Sequence, residues 1–161
     1  MRCKSGYPPL SPRKRESINA KGLRKEIAVC LDWLVFKGKI KEIDLNGVPI
    51  YLIENDDFFD REHIYSTPQG DYADNDLRFG FLSIGALEIA KAINFKPDII
   101  HCHDWQTALV PISLKWRRHI KDDPFFENLK LVFTIHNIAY QGLLGKEALD
   151  RFGLPPYLFM P

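Results

Sequence analysis

Two apolar blocks dominate the pattern of this chain. Ile99-Ile100-His101-Cys102-His103-Asp104-Trp105 and Leu131-Val132-Phe133-Thr134-Ile135-His136-Asn137 are runs with little alternation, each ending in histidine followed by a second polar residue. Such a run suits a strand buried on both faces of a parallel sheet. Between them, in residues 106–119, Ala108, Leu109, Ile112 and Trp116 recur at helical spacing. The pattern predicts strand, helix, strand, which is one βαβ crossover. In open α/β sheets ligands bind outside the carboxyl ends of the parallel strands, and Asp104 and His136 fall there.

The rest of the chain is read against that unit. Leu23, Ile27, Cys30, Leu31 and Leu34 recur at three and four, which predicts a helix over 18–36 ended near Gly38. Residues 39–45 and 48–54 flank Asn46-Gly47, the dipeptide that most readily supplies two positive φ values, so a β-hairpin is expected with a buried second strand. Pro49 must then take a position that donates no ladder hydrogen bond. Asn55-Asp56-Asp57 resembles a helix cap before a short turn through Phe58 and Phe59. Residues 60–73 are polar and long for a connection, which marks a functional loop. Asp74 is placed to cap a helix over 75–93, patterned by Leu77, Phe79, Phe81, Ile84, Leu87 and Ile93. Pro124 opens a short turn, a short helix is expected near 146–151, and Gly153, Pro155 and Pro156 break regular structure. The proline-containing, basic opening of residues 1–17 reads as a poorly ordered arm, with a transit peptide second because no amphipathic pattern supports it.

Composition narrows the function classes. The chain has 161 residues, 45% of them hydrophobic and 27% charged, which is ordinary for one globular domain. A net charge of +1 offers no broad basic surface for phosphate neutralisation, so nucleic acid is not expected as a partner. No apolar run reaches the roughly 18 residues of a membrane span. Cys3, Cys30 and Cys102 lack C-x-x-C spacing, which argues against a disulfide framework or zinc ribbon and fits a reducing, cytoplasmic setting.

Candidate chemistry follows from residue types. His101-x-His103-Asp104 has the elements of a metal site, but no further ligands at strand or helix spacing complete it, so no metal is expected. There is no G-x-S-x-G elbow, no Walker loop and no G-x-G-x-x-G, and Cys102 lies in an apolar run where its thiol would be inert. Asp104-Trp105 and His136-Asn137 instead read as a polar rim over apolar strands, with Tyr65 and Tyr140 as aromatic platforms. Sugars are held by such sets, polar side chains taking hydroxyls and rings taking the C–H face. For each residue alone, a turn residue satisfied by backbone is an equal reading.

Several separated groups of residues then carry a resemblance. His101-Cys102-His103-Asp104-Trp105-Gln106-Thr107-Ala108 and Phe133-Thr134-Ile135-His136-Asn137-Ile138-Ala139-Tyr140-Gln141-Gly142 closely resemble bacterial glycogen synthases and plant starch synthases. Asn46-Gly47-Val48-Pro49-Ile50-Tyr51, Phe58-Phe59-Asp60-Arg61, Tyr72-x-Asp74-Asn75-x-x-Arg78-Phe79, and Gly153-Leu154-Pro155-Pro156 match in the same order.

The resemblance implies an α/β fold with a Rossmann-like parallel sheet and flanking helices. It implies part of the N-terminal domain of a two-domain, GT-B type retaining glycosyltransferase that moves glucose from ADP-glucose, or UDP-glucose, to the non-reducing end of an α-1,4-glucan, without a cofactor. His136 and Asp104 take the catalytic roles by that resemblance, and Asn137, Trp105 and Tyr65 bind substrate. Residues 36–161 are then the partial catalytic domain, and residues 1–35 are an unaligned segment, disordered or helical. Three departures matter: the Lys-x-Gly-Gly opening of the family is missing, Gln106 stands where the family usually has histidine, and the second domain is missing. The chain alone is therefore expected to be inactive. Two alternatives stay open: a non-catalytic glucan-binding remnant, and another nucleotide-sugar transferase of the same architecture.

Overall fold

A computed structural model of the chain describes residues 21–159. The N-terminal arm, its transit-peptide reading and Cys3 lie outside the described residues. The first two elements correct the sequence reading. Where a helix was expected over 18–36, the chain forms strand β1, Lys21–Leu31, and turns at Asp32-Trp33 into β2, Leu34–Leu45. The apolar spacing fits both periods. The period-2 set Ile27, Val29 and Leu31 is buried, whereas Cys30, which the helical reading needs inside, is exposed. β-Branched Ile27 and Val29 favour the pleated form, and Asp32 takes the positive φ of 52° that lets the chain reverse in two residues.

β2 pairs antiparallel with β3, Val48–Glu54, through the expected Asn46-Gly47 turn, whose residues have φ of 55° and 84°. Leu45 and Val48 close the two-residue loop, so the next pair, Asp44 and Pro49, is the one that exchanges no hydrogen bond, and proline fits there. β3 is an edge strand, not the buried one expected: Val48 and Leu52 are exposed, and Ile50 and Ile53 are half-buried. Asn55 caps the short helix α1, Asp56–Phe59, by accepting from the Phe58 N–H at 3.0 Å. In the loop that follows, β4 (Ser66–Thr67) and β5 (Gly70–Asp71) form a minimal hairpin.

Helix α2, Asn75–Ala92, is the centre of the molecule. It is buried on most of its circumference, by Phe79, Phe81, Ile84, Leu87 and Ile89 among others, because the antiparallel sheet covers one side and the βαβ unit the other. Gly85 lets the sheet approach: a Cβ there would lie 2.5 Å from Cδ1 of Ile53. The expected cap at Asp74 is present in position only, since its carboxylate makes no capping bond and pairs with Arg61 at 2.7 Å.

The βαβ crossover is present. β6, Ile99–His103, and β7, Lys130–Thr134, pair in parallel, with Ile99 opposite Lys130 and His103 opposite Thr134. Between them come a 3-10 turn, Trp105–Thr107, helix α3, Leu109–Trp116, and helix α4, Arg118–Lys121. Two expectations fail here. The strands are not buried on both faces, since Ile99, Leu131, Val132 and Phe133 are all exposed. Nor is there a larger parallel sheet: β3 belongs to the antiparallel sheet, and the parallel sheet has two strands among the described residues. The fold is α/β, with small separate sheets rather than the broad Rossmann-like sheet expected. Helix α5, Glu147–Arg151, closes the described chain before a 3-10 turn at Pro156–Leu158.

Candidate functional site

The site begins with the alternation of side chains along β6 and β7. Residues 99, 101 and 103 share one face, and Cys102 points to the core on the other, 3% exposed. Burial pushes the Cys102 thiol up, which accords with the inert role read from its setting. His101, His103, Thr134 and His136 thus meet on one side of the parallel pair. The His101 Nε2 lies 2.7 Å from Thr134 Oγ1, and the His103 Nδ1 lies 2.9 Å from His136 Nε2. The ring centroids of His101 and His103 are 4.1 Å apart, and those of His103 and His136 are 5.2 Å apart with planes within 20°.

Asp104 joins the two strand ends. Its N–H donates to the Thr134 carbonyl at 2.9 Å, and its Oδ1 accepts from the His136 N–H at 2.7 Å. Its backbone has φ 57° and ψ 178°, a combination normally left to glycine. Asp104 is held there because both bonds require that turn. Asp104 and His136 thus lie side by side at the ends of the two parallel strands, joined by that bond. The carboxylate spends one oxygen on orienting the His136 backbone; the His136 Nε2 is taken up by His103, and its Nδ1 and carbonyl remain for other contacts.

Trp105 follows at the start of the 3-10 turn and packs edge-on against Phe79 of α2, centroids 4.8 Å apart. Tyr65 packs on the same Phe79 at 5.9 Å. The long loop is fixed there: the Tyr65 carbonyl accepts from Asn75 Nδ2 at 2.8 Å and from the Tyr72 N–H at 3.1 Å. Tyr65, Phe79 and Trp105 thereby form a row of rings, and Trp105 is the residue after Asp104. Gly142, at φ 61°, covers the face of Trp105; a Cβ there would lie 2.1 Å from the indole. Asn137 stands next to His136 but uses its Oδ1 on the Ala139 N–H, 3.1 Å away, and Tyr140 is largely exposed. Below Trp105, a cavity of 240 Å³ is lined by Phe79, Leu109, Phe152, Leu154 and the polar Gln106 and Gln141.

The sequence reading placed Asp104, His136 and Trp105 together correctly and reached Tyr65 through a loop. It missed His103 and Thr134 as members of the same cluster. The signal was present in the spacing: 101 and 103 on one strand and 134 and 136 on the other share a face at period 2. Phe79, read as a core residue of its helix, also carries the rings of Tyr65 and Trp105.

Comparison with known proteins gives this geometry its family. The model of the starch synthase catalytic domain matches residues 5–161. The chain belongs to that family. It is 48% identical over 136 residues to glycogen synthase 2 of Geobacter metallireducens and 50% identical over 136 residues to glycogen synthase 2 of Geobacter sulfurreducens. Each match covers 84% of this chain and 28% of the relative, so the chain spans well under a third of their length. Among solved structures, the catalytic domain of starch synthase IV from Arabidopsis thaliana, bound to ADP and acarbose, is similar with a TM-score of 0.72 and 31% identity. That match covers 87% of this chain and 27% of the other.

Proposed function

We propose that this chain forms part of the N-terminal half of a glycogen or starch synthase, a two-domain GT-B type glycosyltransferase with Rossmann-like halves. The reaction is transfer of glucose, with retention, from ADP-glucose to the 4-hydroxyl at the non-reducing end of an α-1,4-glucan. The C1–O bond to the nucleotide diphosphate breaks, ADP leaves, and the acceptor oxygen bonds to C1 as it gives up its proton. The Arabidopsis structure, which holds ADP and acarbose, motivates the choice of a nucleotide-sugar donor and a glucan acceptor. The residues matched to the catalytic domain, 5–161, belong to that half, and in this reading a second domain supplies the other wall of the donor site. The setting is cytoplasmic; no helix among the described residues is long and apolar enough to cross a membrane.

The observation that carries the reading is the Asp104 clamp on His136. It fixes the His136 main chain at a strand end, and the row formed by Trp105, Phe79 and Tyr65 starts at the residue after Asp104. In this reading His136 lies against the transferred glucose, and its polar groups stabilise the positive charge that builds at the anomeric carbon. Asp104 shapes that subsite through the His136 backbone. Tyr65 offers a ring face to sugar C–H surfaces, Trp105, with one face covered by Gly142, shapes the wall of the subsite, and Asn137 meets hydroxyls of the donor. The residues act by positioning and electrostatics, without a covalent nucleophile.

The test is transfer of labelled glucose to glycogen by the full-length protein that carries this sequence, with ADP-glucose and UDP-glucose compared. Incorporation from ADP-glucose is expected. Preference for UDP-glucose would correct the donor, whereas glycogen binding without incorporation from either donor would overturn the enzyme in favour of a glucan-binding module.

A further inference from the structure

We infer that His103 is a positioning residue that holds the His136 ring in one orientation and one tautomer. The inference rests on the proposed function for its catalytic meaning, but its geometry stands on the histidine cluster alone. The contact between His103 Nδ1 and His136 Nε2 is 2.9 Å, a hydrogen bond between two imidazole nitrogens. Such a bond uses one proton and one lone pair. Whichever ring donates, the position of the proton on the other is then settled, and His136 presents a defined Nδ1 to whatever lies above it.

His103 is itself held on three sides. Its N–H donates to Thr107 Oγ1 at 2.8 Å, and its carbonyl accepts from that same hydroxyl at 2.8 Å, which ties the strand end to the 3-10 turn. The His101 ring packs against it, and His101 is tied to Thr134 Oγ1 across the sheet. Thr134, His101 and His103 therefore form a backing for His136, while Asp104 fixes the His136 main chain from the other side. A side chain that meets forming charge works best when its own orientation is set before the reaction. His103 supplies that preorganisation to the ring, as Asp104 supplies it to the backbone.

The test compares three forms of the full-length protein. His103→Phe keeps a ring against His101 and removes Nδ1; His103→Asn keeps a polar atom near the place of Nδ1. The first readout is the 15N spectrum of histidine-labelled protein, assigned through a His136→Gln form. The wild type is expected to show His136 as one fixed tautomer, His103→Phe an averaged pair, and His103→Asn a fixed tautomer again. The second readout is kinetic: His103→Phe lowers kcat about tenfold, with a much smaller change in KM for the donor, and His103→Asn recovers most of it. Should His103→Phe fail to fold, His103→Thr removes the same nitrogen from a strand position. A His136 spectrum unchanged by loss of Nδ1 overturns the inference, whatever happens to kcat. If the spectra change as expected but the wild type transfers no glucose, the synthase reading fails and the positioning role stands.

Discussion

At the scale of single residues, the site depends on close approaches that leave little room for substitution. Gly142→Ala illustrates this: the new methyl would enter the Trp105 indole, and the positive φ disfavours alanine as well. The expected result is displacement of Trp105 and a loss of about 1–3 kcal/mol of stability. A fluorescence change present in Gly142→Ala, and absent when Trp105 is also replaced by Phe, checks the displacement. Trp105→Ala should weaken sugar binding, seen as a raised KM for the sugar substrates in the full-length protein; an unchanged KM would remove Trp105 from the subsite. Much of this scale was legible in advance. Asp104 and His136 were placed together because polar residues at the ends of apolar runs fall at strand ends. The backbone of Asp104 was not, since a φ of 57° with ψ near 180° carries no signal when the residue is not glycine. His103 was visible as a letter but was weighed as a metal ligand or turn residue, because its partner lies 33 positions away.

At the scale of elements, legibility followed the uniqueness of the period. Helix α2 and the Asn46-Gly47 hairpin were plain, because one has a long run of helical spacing and the other a dipeptide with few other uses. The failure over 18–36 came from a stretch whose apolar residues satisfy both periods; pairing with β2, which no local pattern records, decides it. Glycine within α2 then gives a direct test of how sheet and helix meet. Gly85→Ala brings a methyl against the Cδ1 of Ile53, which must turn away, and this offsets the gain of about 1 kcal/mol that alanine brings to a helix interior; the variant should be no more stable than the wild type in chemical denaturation, and a gain of about 1 kcal/mol would contradict the close packing. The ion pair between Lys91 of α2 and Asp123, at 2.6 Å, makes a pH-dependent prediction. The Lys91 ammonium, followed by the Phe125 N–H, holds the Asp123 carboxyl below its ordinary range, and the bond to Asp123 raises Lys91. The lowered acid contributes stability above its ordinary value near 4 and loses it as pH falls through the folded value. The raised base contributes below about 10.4 and loses it as pH rises through its own folded value. Both groups are partly exposed, so Lys91→Met should lose about 0.5 kcal/mol at pH 7, and the gap should close in acid. Urea titrations at pH 7 and below pH 4 check this, and a gap that widens in acid would contradict it.

At the scale of the whole molecule, the exposed parallel pair is the main physical fact. Ile99, Leu131, Val132, Phe133, Ile135 and Ile138 all remain exposed, and such a patch with open strand edges favours association. The isolated 161-residue chain should therefore self-associate, with a mass by light scattering that rises with concentration; a stable monomer at high concentration would contradict this. The sequence announced the apolar strands but not their exposure, because a run that suits burial on both faces does not say which chain supplies the cover. The same gap explains why a broad parallel sheet was expected and two strands were found. The central claim, that the Asp104 and His136 strand ends form a glucose-transfer subsite, is tested most directly in the full-length protein by His136→Ala. The account predicts a fall in kcat on the order of a hundredfold, about 3 kcal/mol in the barrier, with a much smaller change in donor KM and little change in melting temperature. A lowered melting temperature with kcat of the folded protein unchanged would contradict it.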